Sequence, residues 1–212
     1  MTTTYRSTWQ IPMSAYTPEL QHKFLWRAFP NQPNGGIAPF RFRVEKDGRT
    51  TVISDVKPSQ VDGCMLDVSP YAPDIKAGEI YIFTVKANVT KATKWEGSDI
   101  QHRGRRITVY EDNEIVEWVR KKISPAGELL AAHVLGQKQI KFYKAGRKKG
   151  ALIPNVGDES PVTLAPTEIV GVVEVKDPAK MKELLVKGVG SAKGFGMGLV
   201  VLTGRGRVSD AC

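Results

Sequence analysis

The side chains of this 212-residue chain that titrate nearest neutral pH are His22, His102 and His133. They form no HxxxH pair, and the two cysteines, Cys64 and Cys212, form no CxxC, so the sequence predicts no structural zinc site. No close group of Asp and Glu announces a two-metal nuclease. What remains is proton transfer by histidine. His22 is the best placed, because it borders an apolar helical face with Trp26 beside it, where an imidazole is held yet reachable. A second chemical element is the stretch Gly188–Gly198, GVGSAKGFGMG, with five glycines in eleven residues. Gly188, Gly190, Gly194, Gly196 and Gly198 free the backbone to turn, and Lys193 adds a cation, a combination suited to a phosphate chain.

The elements around these residues are legible from their punctuation. Thr17 caps a helix that has Pro18 and Glu19 in its first turn and stops at Phe29-Pro30. Leu20, Phe24, Leu25, Ala28 and Phe29 share its broad apolar face. Thr4–Ile11 reads as an opening strand. Phe40, Phe42 and Val44 alternate with Arg41, Arg43 and Glu45, and the strand returns over Thr51–Ser54 across the Asp47-Gly48 turn. Glu79–Lys86 is a further strand. Asp112 opens a second helix with Ile115, Val119 and Ile123 on one face and a Glu117–Lys121 pair. Ala126–Ala132 extends it by a helical turn or two, Lys138–Lys144 and Ala151–Ile153 form the arms of a hairpin, and Val156–Pro166 is loop. Strand Ile169–Val175, a helix capped by Asp177 and stopped by Gly188, the glycine stretch and strand Leu199–Leu202 close the chain.

That closing order excludes the two best-known phosphate loops. A dinucleotide fingerprint has its glycines between a strand and the helix they open, and a Walker loop ends in Gly-Lys-Ser/Thr. Lys193-Gly194-Phe195-Gly196 fits the start of an RNP1 motif, but too little chain follows it. The architecture predicted is α+β, with two tandem ferredoxin-like (RRM-like) domains. Residues 1–88 form the first, 89–106 a basic connector, and 107–212 the second, with a basic hairpin and the glycine loop.

Formal net charge is +9, with 41% hydrophobic and 25% charged residues, values of a globular basic protein. The surplus is concentrated. Residues 86–106 carry six cations, Lys86, Lys91, Lys94, Arg103, Arg105 and Arg106, against Glu96 and Asp99. Residues 138–149 carry six, Lys138, Lys141, Lys144, Arg147, Lys148 and Lys149, and no acid. A basic connector and a basic hairpin tip can straddle an RNA stem. No apolar run reaches the ~18 residues of a membrane span, and the sparse cysteines fit a reducing cytoplasm.

The glycine pattern, carried by Gly188, Val189, Gly190, Lys193, Gly196 and Gly198, resembles the C-terminal loop of the repeat-associated RNA-binding superfamily of CRISPR proteins. His22 with Leu25, Trp26, Phe29, Pro30 and Asn31 resembles, more narrowly, the H-x-x-L-W-x-x-F-P-N segment of the CasE family, the crRNA-processing endoribonucleases of Cascade. Phe40–Lys46, Val85–Lys91 and Arg105–Trp118 resemble that family in order and spacing. The resemblance implies cleavage of precursor crRNA at the base of the CRISPR repeat stem-loop by the RNA's own 2′-OH, without metal or cofactor. It also implies His22 as the catalytic residue, retention of the product hairpin, and other Cascade subunits as partners. Some members carry a catalytic tyrosine three residues before the histidine; this chain has Glu19 there, and Tyr16 six residues before. Lys193 or Arg27 is a candidate to neutralise the phosphorane. Two other readings fit the residues: a non-catalytic hairpin-binding subunit in which His22 is structural, and a general single-strand binder that stacks bases on Trp26 and Trp95.

Overall fold

The computed structural model describes residues 3–12, 17–32, 38–92, 106–142, 147–148, 151–152 and 162–206. The first half contributes β1 (Tyr5–Gln10), α1 (Pro18–Trp26), β2 (Phe40–Val44), β3 (Arg49–Ser54) and β4 (Met65–Pro70). Its sheet has the order β2-β3-β1-β4, antiparallel throughout. The β2–β3 hairpin turns where expected, with Gly48 at φ 82° beyond Asp47. Thr17 Oγ1 accepts from the amide of Leu20 and starts α1. Nine residues are too few for a helix to persist alone in water. Packing holds α1: Phe24, Leu25, Ala28 and Phe29 join Trp9, Phe40, Phe42 and Val52 in one buried cluster. Each large side chain buried there contributes about 1.5–3 kcal/mol. Leu20, expected on that face, is 39% exposed and lies outside the cluster.

The second sheet has the order β14-β5-β13-β8. Its strands are β5 (Ile80–Asn88), β8 (Gly127–Gln137), β13 (Pro166–Val175) and β14 (Val200–Arg205), joined through α2 (Asp112–Ile123) and α3 (Pro178–Lys187). The run β5-α2-β8-β13-α3-β14 places its last strand beside its first, then its third and second, a ferredoxin-like arrangement. The first half shows the same strand order, with an irregular stretch over residues 55–64 in place of a second helix. Ile115, Val119 and Ile123 of α2 and Met181 and Leu185 of α3 cover this sheet, packing on Phe83, Val85 and Ile169. The predicted α+β fold of two tandem ferredoxin-like units is therefore what the chain adopts.

Three local expectations are corrected. The strand over residues 80–88, expected to close the unit 1–88, instead opens the second sheet, pairing with β13 from Pro166↔Asn88 to Glu174↔Ile80 and with β14. The first sheet is closed by β4, where Met65 and Leu66 give no alternation and Pro70 suits a strand at a sheet edge. Residues 127–132, Leu- and Ala-rich, are strand and not helix. Nine pairings of β8 with β13 override their helical propensity. The third concerns the basic hairpin. β9 (Ile140–Phe142) pairs with β12 (Val162–Leu164), while β10 (Arg147–Lys148) pairs with β11 (Ala151–Leu152). The ends of the connector also meet, β6 (Thr90–Ala92) against β7 (Arg106–Thr108).

Candidate active site

His22 projects from α1 into the aromatic cluster that supports β2. Its ring centre lies 5.4 Å from Phe40, 5.6 Å from Trp26 and 6.4 Å from Phe42, distances of direct aromatic packing. Nδ1 is buried and has no hydrogen-bond partner among the described residues. Burial pushes the imidazole below its ordinary value, because charging it there loses hydration. The shift favours the neutral ring at physiological pH.

The glycine stretch completes the site from the other half of the molecule. Lys193–Phe195 forms a 3-10 turn. A Cβ added to Gly194 would lie 3.7 Å from His22 Cε1, so the turn and the imidazole face each other. Gly196, at φ 76°, packs so closely that a Cβ would come within 2.9 Å of the Phe42 ring. Gly188 and Gly198, at φ 64° and 82°, bring two backbone segments together, with the Val189 amide donating to the Gly198 carbonyl at 2.8 Å. The Gly198 amide donates to Lys86 O at 2.6 Å, and Asn88 Nδ2 donates to Ser191 Oγ at 3.4 Å, tying the stretch to β5. Arg43 Nη1 donates to Thr84 Oγ1 at 2.9 Å, a further link between the two halves.

The cations expected to meet RNA occupy different settings. Lys193 Nζ donates to the carbonyls of Lys187 and Gly188 at 2.7 and 2.9 Å, satisfying the end of α3. Its ammonium is held below the ordinary lysine range first by burial, then by Arg41, Lys122 and Lys187 nearby. Arg27 makes a two-pronged pair with Asp62 at 2.9 and 3.1 Å. Lys91 holds both oxygens of Glu114 at 2.7 and 2.8 Å. Arg106 lies in β7 and lines a cleft of about 660 Å³ between α2 and α3, which Lys193 also lines. Arg147 and Lys148 are in β10. Lys94, Arg103, Arg105, Lys149, His102 and Tyr16 lie outside the described residues. His133 is exposed on β8. Across the 3-10 turn, Phe195, Gly196, Gln21 and Phe142 line a second cleft of about 620 Å³.

Residues 7–203, almost the whole chain, match the family described as CRISPR associated protein. The chain belongs to that CRISPR associated family. The Cascade subunit CasE of Escherichia coli (strain K12) is 23% identical to this CRISPR associated protein over 191 residues, 85% of this chain and 89% of that one. Thermus thermophilus Cse3, solved with an RNA representing a pre-cleavage complex, superposes with a TM-score of 0.73 at 18% identity, covering 95% of this chain and 99% of that one. Cas6e from Escherichia coli str. K-12 gives 0.62 at 21% identity, covering 93% and 98%. These likenesses extend over both sheets and establish the shared fold of this CRISPR associated protein.

Arg41 is a residue near the site that the sequence did not single out. It sits between Phe40 and Phe42 on β2, donates through Nη1 to the carbonyls of Ala38 and Phe40, and is close enough to lower the Lys193 ammonium. On an alternating strand it reads as an ordinary outward-facing charge, and only the return of the glycine turn brings it beside a second cation.

Proposed function

We propose that this protein is a CasE-type CRISPR endoribonuclease, acting in the cytoplasm. It binds the stem-loop of CRISPR repeat RNA, cuts precursor crRNA at the base of the stem, and stays on the product hairpin among other Cascade subunits. The observation that carries the reading is the His22 imidazole, kept neutral by burial among Trp26, Phe40 and Phe42 and facing the glycine turn at Gly194. The related Cascade subunit CasE supports the partner, and Cse3, solved with an RNA representing a pre-cleavage complex, supports an RNA ligand.

In this mechanism neutral His22 takes the proton of the 2′-OH on the nucleotide 5′ to the cut. The 2′-oxygen bonds to phosphorus, the P–O5′ bond breaks, and the departing 5′-oxygen takes a proton from solvent water. The products are a 2′,3′-cyclic phosphate and a 5′-OH. The nucleophile belongs to the substrate, so positioning, proton transfer and charge stabilisation account for catalysis without a metal ion. Surrounding cations attract the phosphate backbone, and the glycine turn lets it approach without side-chain obstruction.

The test is single-turnover cleavage of a repeat stem-loop in EDTA, beside a binding isotherm. Wild-type protein cuts one bond, and a 2′-deoxy substitution at the attacking nucleotide abolishes cutting while sparing binding. His22→Ala slows cleavage by about 100- to 10,000-fold and leaves hairpin affinity within a few-fold. Binding without cleavage by the wild-type protein overturns the enzyme reading and leaves a hairpin cap. Cutting of the deoxy RNA overturns the mechanism.

A further inference from the structure

The cleft between α2 and α3 has a chemistry of its own. Its walls bring Trp118, Lys122 and Lys187 together with Arg106 and Lys193. Among the described residues Glu183 is the acid in the lining, and it is already held by Lys187 at 2.6 Å. Lys122 Nζ stands 5.7 Å from the centre of the Trp118 ring. Lys122, Lys187, Lys193 and Arg41 are close enough for the other three to weaken protonation of Lys193. Two helices and a glycine turn therefore hold like charges together, an arrangement that an anion relieves.

The aromatic wall narrows the class of anion. Trp118 is half-buried at the edge of the core of the second sheet, with Gly190 against it; a Cβ there would come within 2.9 Å of the ring. A π surface flanked by cations is how single-stranded nucleic acid is held, base on ring and phosphate on ammonium. About 660 Å³ is the volume of an ordinary small-molecule site, enough for a nucleotide or two and too little for a duplex.

We propose that this cleft holds the first unpaired nucleotide beyond the scissile phosphate, its base on Trp118 and its phosphate on Lys122. The proposal rests on the stem-loop cleavage reading above. Lys193 lines the cleft, and the next residue, Gly194, faces His22, so the cleft and the imidazole flank the same turn. The scissile phosphate has the paired stem on one side and unpaired RNA on the other. A cleft too small for a duplex takes the unpaired side. Gripping that nucleotide aligns the departing 5′-oxygen, and cutting removes its covalent link to the retained hairpin.

The experiment compares the product-length hairpin with a precursor that runs past the cut and carries the 2′-deoxy block. Wild-type protein binds the precursor more tightly, by about 5- to 150-fold for one stacked base. Trp118→Leu and Lys122→Ala each remove much of that ratio and leave hairpin affinity little changed. An abasic first downstream nucleotide weakens precursor binding to wild type as Trp118→Leu does, and has no further effect in that variant. Lys122 is exposed, so Lys122→Ala carries the test should Trp118→Leu fail to fold. Equal wild-type affinity for the two RNAs overturns the proposal. So does a loss in the variants that is the same for hairpin and precursor. Failure of the wild-type protein to cut any repeat stem-loop is a separate result, read from cleavage, and it overturns the parent reading together with this one.

Discussion

In the proposed mechanism His22 is governed by two opposed demands: it must accept a proton, yet its surroundings disfavour the charge. Burial among three aromatic rings lowers its pKa, so the base form persists to lower pH than in an exposed histidine. Single-turnover cleavage should therefore rise with pH to a midpoint below the ordinary value of about 6.5 and level off above it. His22→Ala should remove that limb. A rate that falls above the midpoint would make the imidazolium the working form and reverse the assigned role. Stability follows the same shift. Below about 6.5 the unfolded chain binds this proton more readily than the native one, so stability declines as pH falls through that value toward the native pKa. Above it His22 contributes no pH dependence, and denaturant midpoints in wild type and His22→Phe distinguish the two regimes. Lys193 makes a different prediction. Lys193→Ala leaves two carbonyls at the end of α3 without their donor and should cost about 1–3 kcal/mol by denaturant unfolding. Unchanged stability would show the ammonium to be expendable in the fold.

At the scale of elements, the glycine turn behaves as a packed structure whose members are not interchangeable. Gly198, at φ 82°, has the Val189 carbonyl oxygen where a Cβ would go. Among the described residues a Cβ at Gly194 would have only His22 within ordinary contact distance, at 3.7 Å. Gly198→Ala should therefore destabilise the protein by more than about 2 kcal/mol, since the left-handed backbone alone costs an L-residue ~1–2. Gly194→Ala should stay within about 1 kcal/mol of wild type. Urea unfolding of the two variants decides between this account and a turn kept bare only for RNA, in which both would fold equally well. Asp177, by contrast, acts locally: its carboxylate accepts from the amides of Ala179 and Lys180 at 3.0 Å and starts α3.

For the whole molecule, the basic surplus is the property that matters at a distance. Lys91 and Arg27 are paired with acids, so the cations that act on RNA over a long range are expected elsewhere, in Arg105, Arg106 and the stretch Arg147–Lys149. Neutralising any one that contacts phosphate should weaken hairpin binding and lower the slope of log K against log salt by roughly 0.7 to 0.9. Cleavage at saturating protein should change much less. Affinity measured across a salt series for Arg106→Ala and Lys148→Ala checks this, and unchanged slopes in both would return these stretches to the solvent.

What the sequence determined by itself was what lies within a few residues of its cause. Thr17 and Asp177 start helices through their own side chains, Asp47-Gly48 turns a hairpin, and Phe40 and Phe42 alternate into a core. The glycine spacing and the histidine segment pointed to the family for the same reason, as chemistry written along the chain. Only the tertiary structure decided that β5 belongs to the second sheet and that residues 127–132 are strand. Both depend on hydrogen bonds to β13, which a local window of sequence does not contain. The approach of Gly194 to His22, and of Lys122 to Lys193, was equally hidden. Each joins segments far apart in the chain, and long-range packing, with no signature in spacing or propensity, brings them together.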